Sequence, residues 1–340
     1  MRVAIVQDEI CPSLAEGLEA TARLTRDAAR LGATLVVFPE TWLPGYPVWL
    51  DVCRDVALWD HAPVKEVFAR HAAESVCVGG DSGEALSRIA RDCGVSLVLG
   101  VTERLESGPG YGTLYNALLL YDADGALQLH HRKLVPTFSE RLVWGPGDAR
   151  GLRTTVVGEA RVGGLICWEH WMPLARQALH EAGEDLHVAL WPNVHDTLQL
   201  ASRHYALEGR CFVLAAGSLQ RASSLPAALE PHPARVTSPD QWVLRGGSTI
   251  IGPDGTYVVP PVFDRATIMV ADLDLGRLRG ERMALDVAGH YSRPDCFSFA
   301  VTRTRAAAAN ADALRAANEG TATSADNTLS TSTHTIRPNL

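Results

Sequence analysis

Short apolar runs without polar alternation punctuate this chain: VAIV (3–6), TLVVF (34–38), VSLVLGV (95–101), NALLLY (116–121), GGLI (163–166), LHVALW (186–191) and CFVLAAG (211–217). A strand with one wet face alternates polar and apolar residues. Strands that do not alternate must be covered on both faces. This confines the chain to α/β architectures whose sheets are covered on each side by helices or by another sheet. Helical patterns fill the intervals. Ser13-Leu-Ala-Glu16 has the capping-box form, and Leu14, Leu18, Ala22, Thr25 and Ala29 recur at helical spacing before Gly32. Residues 84–93, 173–181 and 198–210 read as further helices. Asp122-Ala-Asp-Gly125 marks a hairpin turn, as does Asp254-Gly255 within a hairpin over 248–259. Residues 126–133 alternate and lead out to Lys133, 160–167 form a strand ending at Cys167, and 267–274 form a late strand. The Pro-rich stretch 222–241 reads as a surface loop.

The chain has 340 residues, 46% of them hydrophobic, enough for one large core. No linker interrupts it, so one domain is expected over 1–305. From Ala306 the composition turns to Ala, Asn, Thr and Ser. Too few apolar residues remain there to offset ordering entropy, and 306–340 reads as a disordered tail. The net charge is −8 and no Lys/Arg block exceeds two residues, which argues against a nucleic-acid partner. No run approaches membrane-spanning length, and MRVAIVQDEI lacks a signal-peptide core, so the expected location is the cytoplasm. The seven cysteines are odd in number and widely spaced, with no CxxC pair. That pattern fits a reducing compartment and disfavours a zinc ribbon.

Three chemically capable residues close three of the apolar runs: Glu40 in VVFPE, Lys133 in HHRKL and Cys167 in GGLICWEH. Taken singly, a strand-end Glu or Lys marks where the chain meets solvent, and a Cys after Leu-Ile is a small core residue. Their common address weighs the other way, because α/β sheets bind ligands beyond the carboxyl ends of their strands. A free thiol is largely protonated at neutral pH. A carboxylate there could take its proton, and an ammonium could stabilise charge developing on a substrate, a contribution of roughly 3 kcal/mol per preorganised donor. His170 suggests a Cys–His dyad, but Glu40 already supplies a base, and a supporting hydrogen-bond role is the preferred reading. Trp168 and Glu169 would shape the pocket wall. Tyr46 and Trp49, and the strand-end residues Trp191, Pro192 and Asn193, are either substrate contacts or packing. His131 and Arg132 read as structural. HEAGE (180–184) ends in Glu where a zincin has its second His, and GPGYG (108–112) does not join a strand to a helix. GGS (246–248) lacks the partner lysine motif of Ser-Ser-Lys amidases.

With these motifs in place, the chain resembles the nitrilase branch of the carbon–nitrogen hydrolase superfamily over roughly residues 1–300. The resemblance rests on FPE with Glu40, HRKLVPT with Lys133, and PTFSER with Glu140 followed by WGPGD. CWEH with Cys167, PGYP (44–47), SRHYALEGRCFVL (202–214) and GHYSRPD (289–295) add to it. It implies an α/β four-layer α-β-β-α sandwich. It implies Glu40 as general base, Lys133 as stabilising cation, Cys167 as nucleophile and Glu140 as a second glutamate that orients the lysine. It implies hydrolysis of an organic nitrile to a carboxylic acid and ammonia through a thioimidate, with no metal or organic cofactor. Self-association into dimers, extending into spirals or filaments, is implied as well. The alternatives are a member that releases amide or hydrolyses amides, and a non-catalytic assembly protein that keeps the fold.

Overall fold

The structure is a computed structural model that describes residues 1–303. The tail expected over 306–340 lies outside the described residues. Strand β1 (Arg2–Gln7) leads into helix α1 (Leu14–Arg30), then β2 (Leu35–Val37). Helices α2 (Trp49–Val52), α3 (Ala62–Ala73) and α4 (Asp81–Cys93) follow, then strands β3 (Ser96–Arg104), β4 (Leu114–Tyr121) and β5 (Leu127–Arg132). The second half runs β6 (Thr155–Val157), β7 (Ala160–Ile166), α5 (Pro173–Glu181), β8 (Leu186–Leu190), α6 (Asp196–Gly209) and β9 (Phe212–Ala216). It closes with β10 (Leu219–Arg221), β11 (Trp242–Ile251), β12 (Tyr257–Phe263), β13 (Thr267–Asp272) and α7 (Arg277–Ala284).

Two sheets result. One has the order β13-β1-β2-β3-β4-β5, the other β10-β11-β9-β8-β7-β6 with β12 paired to β11. The absence of alternation is explained residue by residue. In β1, Val3 and Ile5 enter a core shared by both sheets, together with Val37, Leu118, Leu165 and Val188. Ala4 and Val6 of the same strand face the other way, onto Leu24 and Ala28 of α1 and Leu86 and Ala90 of α4. Across the second sheet, Ala178 and Leu179 of α5 and Ala201 and Tyr205 of α6 close the outer face. Helices, sheet, sheet, helices is the four-layer α-β-β-α sandwich expected.

Local signals account for several boundaries. Ser13 caps α1 by accepting the Glu16 N–H at 3.3 Å. Helices α2 and α3, the short strands β6 and β10, and α7 are elements that the sequence patterns did not indicate. The 222–241 stretch is mostly loop, yet Leu229 is buried with Tyr46, Trp49 and Trp144 in a third apolar cluster.

The parallel set β1-β2-β3 sends its carboxyl ends one way, and β5, antiparallel to β4, points with it. Strands β7, β8 and β9 are likewise mutually parallel. Glu40, Lys133 and Cys167 follow the carboxyl ends of β2, β5 and β7.

Candidate active site

Each of the three strand ends is shaped locally for its side chain. After β2, Phe38 and Pro39 carry the chain to Glu40, and this turn lies directly on Gly100 of β3. A Cβ at Gly100 would stand 2.4 Å from the Thr41 nitrogen and 2.6 Å from the Glu40 Cα, so only glycine admits the turn. Lys133 is the residue after β5. Its carbonyl accepts the Gly147 N–H at 2.7 Å, which folds the WGPGD loop back over it. Cys167 opens a 3₁₀ turn, Cys167–Trp171, with φ at 54°. Such a conformation costs a residue with a Cβ about 1–2 kcal/mol, and it turns the thiol out of the strand line.

The side chains meet in a buried cluster. Lys133 Nζ donates to Glu140 Oε2 at 2.7 Å and to Glu40 Oε1 at 3.4 Å. Asn116 of β4 donates its Nδ2 to Glu40 Oε1 at 2.6 Å. Glu140 also accepts the Tyr46 hydroxyl at 2.9 Å and the Thr137 N–H at 2.7 Å. Both Glu140 oxygens are therefore engaged, whereas Glu40 keeps one buried oxygen, Oε2, without a protein partner. Ligand atoms of Glu40, Glu140 and Cys167 all lie within 4.8 Å of one another. The Lys133 ammonium pairs with both carboxylates of this set.

Burial controls the charges. Loss of solvent raises the Glu40 carboxyl to about 7 and outweighs the opposing pull of Lys133 and Asn116. Burial, with Glu40 beside it, pushes the Cys167 thiol well above its ordinary value, against Lys133 and the Trp168 N–H. Burial also works against the Lys133 charge, but Cys167, Glu40 and Glu140 overcome it and hold the ammonium above the usual lysine range. A protonated thiol, a carboxylate poised near neutrality and a permanent cation can move one proton while stabilising the anion that forms.

A cavity of about 260 Å³ opens onto this cluster, with Tyr46, Glu140, Cys167, Trp168, Pro192 and Asn193 in its wall. Of the residues expected to contact substrate, four are thus placed there: Tyr46, Trp168, Pro192 and Asn193. Glu169 and Trp191 are not, and both expectations are corrected. Glu169 is enclosed. Its carboxylate accepts His131 Nε2 at 2.9 Å, the Leu134 N–H at 2.8 Å and the Ile166 N–H at 2.8 Å. It braces the end of β5 to the end of β7. Burial opposes its charge, but His131 and these N–H groups hold its carboxyl below the usual range. Trp191 is fully buried, donates to Ser202 Oγ at 3.2 Å and stacks on His170. Trp49 is buried in the third apolar cluster rather than in the cavity wall. His170 turns away from the thiol, with Nδ1 2.7 Å from the Cys167 carbonyl oxygen.

Sequence reasoning missed Asn116 and several lining residues, among them Phe138, His195, Leu198 and Leu244. Asn116 did carry a signal: it is the polar residue that opens the otherwise apolar NALLLY.

A sandwich of this topology, with thiol, carboxylate and ammonium gathered at its strand ends, has the parts of a cysteine hydrolase. Residues 2–282 match the family model for the carbon-nitrogen hydrolases, and the chain belongs to that family. It is 38% identical over 303 residues to an aliphatic nitrilase of Sinorhizobium fredii, covering 88% of this chain and 95% of that protein. It is 37% identical to the bifunctional nitrilase/nitrile hydratase NIT4B of Nicotiana tabacum, covering 84% of this chain and 80% of the relative. Among solved structures, a carbon-nitrogen hydrolase from Helicobacter pylori superposes with a TM-score of 0.64 at 19% identity, over 84% of this chain and 92% of that one, and supports the fold.

Proposed function

We propose that this chain hydrolyses an organic nitrile to the carboxylic acid and ammonia through a covalent adduct on Cys167. The observation that carries the reading is the buried Glu40 carboxylate, with one oxygen free, in the same cluster as the Cys167 thiol and the Lys133 ammonium. The similarity to proteins named as nitrilases supports the nitrile as substrate.

In this reading, Cys167 Sγ attacks the nitrile carbon as its proton passes to Glu40, and a C–S bond forms while one C–N π bond breaks. Lys133 and the Trp168 N–H stabilise the developing charge, and the nitrogen gains a proton to give a thioimidate. Water adds with Glu40 as base, and the tetrahedral adduct expels ammonia to leave a thioester. A second water releases the acid and restores the thiol. Glu140 holds Lys133 in place throughout. Tyr46, Trp168, Pro192 and Asn193 bound the substrate.

Whether the tetrahedral adduct expels ammonia or thiol depends on which leaving group is protonated. Expulsion of thiol would release amide, an outcome consistent with the bifunctional name of the Nicotiana relative. Self-association belongs to the same proposal. Leu174 of α5 and Leu200 of α6 are 69% and 61% exposed apolar side chains that a second copy could cover. A cytoplasmic location rests on the cysteine usage; no helix among the described residues is long and apolar enough to cross a membrane.

The test is product analysis on a panel of aliphatic, aromatic and arylaliphatic nitriles, quantifying acid, amide and ammonia, with Cys167→Ala as control. Equal acid and ammonia, abolished in the variant, is the expected result. Turnover of amides alone would refute it.

A further inference from the structure

Four buried polar side chains, none of them in the cavity wall, run in series from the Cys167 carbonyl. His170 Nδ1 lies 2.7 Å from the Cys167 carbonyl oxygen, and His170 Nε2 lies 3.0 Å from His187 Nε2. His187 Nδ1 lies 2.9 Å and 3.0 Å from the two oxygens of Glu184. The Tyr205 hydroxyl donates to Glu184 Oε2 at 2.7 Å. All four are at most 2% exposed. None of them enters the proposed chemistry.

Counting hydrogens along the series restricts its protonation. A carbonyl oxygen only accepts, so His170 Nδ1 carries a hydrogen. Two bare imidazole nitrogens 3.0 Å apart would repel, so a hydrogen also sits between His170 and His187. If a neutral His187 supplies it, His187 Nδ1 is bare and faces Glu184, and a carboxyl O–H completes that contact; if His187 supplies it as an imidazolium, its Nδ1–H faces a Glu184 carboxylate. If His170 supplies it, His170 is an imidazolium and Glu184 a carboxylate. Each of the three arrangements holds one proton more than two neutral histidines and a carboxylate would carry. The first encloses no charge. The other two enclose a pair of charges, in contact when His187 is the imidazolium and held apart by a neutral ring when His170 is, and both are the costlier states in a dry interior.

The surroundings favour the uncharged form. Burial raises Glu184 to about 8, against the Tyr205 hydroxyl, the Gly163 N–H and His180, while Asp185 adds to the rise. Burial, with His187 beside it, lowers His170 to about 3, and burial lowers His187 well below the usual histidine range. Cys211 before β9 and Arg282 of α7 also neighbour Glu184, and Glu208 of α6 neighbours Tyr205 and Cys211. The Arg282 guanidinium is directed at the Glu184 backbone oxygen and at Asp185 Oδ1, 3.0 Å each, rather than at the carboxyl.

We infer that Glu184 is held as the neutral acid, and that Tyr205, Glu184, His187 and His170 form a one-way hydrogen-bond chain that fixes the Cys167 carbonyl and thereby the strained turn presenting the thiol. Glu184 is then a positioning residue whose proton the active enzyme requires. Loss of that proton leaves His187 Nδ1–H turned to the carboxylate and two lone pairs opposed across the histidine pair, which releases the turn.

Two measurements on the full chain test this. In ¹⁵N correlation spectra of ring nitrogens, His170 is expected as the Nδ1–H tautomer and His187 as the Nε2–H tautomer, both neutral, at pH below 7. An imidazolium at either histidine would overturn the inference. This readout does not depend on which substrate the enzyme turns over, so failure of the nitrile reading leaves it intact. The second measurement is kcat and KM against pH. Glu184→Ala is expected to lose about tenfold or more in kcat with little change in KM. Glu184→Gln, whose amide N–H replaces the acid O–H, is expected to restore most of that loss and to lack the wild-type fall in rate above about pH 8. Tyr205→Phe removes a donor that favours the carboxylate, so it should move that fall to higher pH, and it serves if the alanine variant does not fold. A folded glutamine variant as slow as alanine, or one that keeps the wild-type alkaline fall, would overturn the inference.

Discussion

Glu140 and Glu169 are two uses of one local device. Each is the third residue of a 3₁₀ turn, Phe138–Leu142 and Cys167–Trp171, and each folds back to accept a backbone N–H at the start of its turn. Beyond that shared contact they diverge. Glu140 meets an ammonium and a phenol and stands in the cavity wall. Glu169 meets an imidazole and a second backbone N–H and is sealed from the cavity. A carboxylate whose lone pairs go to backbone donors fixes geometry. One that shares them with a lysine sets the field at the thiol. Neither role follows from the residue or its turn; the partner decides.

Removing Glu169 should produce the largest change in folding. Glu169→Ala strands the Leu134 and Ile166 N–H groups and the His131 ring, and is expected to cost about 3–5 kcal/mol in denaturant unfolding. A loss below about 1 kcal/mol would show that Glu169 is no brace. Glu140→Gln should act on rate instead. It is expected to lower kcat about 100-fold, roughly 3 kcal/mol, while the unfolding midpoint moves little. If Glu140→Gln chiefly destabilises and Glu169→Ala chiefly slows, the comparison is reversed and fails.

The pH response sharpens the contrast by bringing in the third glutamate. Glu40 is raised from 4.5 to about 7, and its working form is the carboxylate. The rate should therefore rise with pH up to about 7, falling about tenfold per unit below it, ahead of the alkaline fall above about 8 that Glu184 sets. Stability should run the opposite way. The folded state holds the Glu40 proton more tightly than the unfolded chain does. Its contribution is full below about 4.5 and is lost as pH rises through about 7. Parallel rate and unfolding profiles would check both signs. The smallest effect is expected from Tyr46→Phe, which removes one hydroxyl donor from Glu140 and should lower kcat about fivefold, near 1 kcal/mol.

What could be read from sequence divides along physical lines. Strands buried on both faces announce themselves as unbroken apolar runs, so Glu40 and Cys167 could be placed at strand ends without a structure; Lys133 follows instead from the alternation of 126–133, since only one face of β5 is buried. Residues 42–80 could not be read this way. Their helices α2 and α3 are short or weakly amphipathic and are held by packing, as Trp49 is against Tyr46 and Trp144. Neighbours in sequence also misled. Trp191 adjoins Pro192 and Asn193, but at the end of β8 its ring goes to His170 and α6 while the next two residues reach the cavity. Glu169 adjoins Trp168, yet one side chain turns inward and the other is half exposed. Sequence spacing carries no information on that choice, which depends on where unpaired donors lie.

Gly163 in β7 bears on how such chains diverge. A Cβ there would stand 2.4 Å from Glu184 Oε1, so the acid occupies the volume that any larger residue at 163 would need. The two positions are twenty-one apart in sequence but behave as a single heritable unit. A lineage that gains a side chain at 163 must give up or displace the acid at 184, and with it the support of the histidine pair. Among descendants of a common ancestor, the two sites should change together, and a glycine at the first should accompany a glutamate at the second.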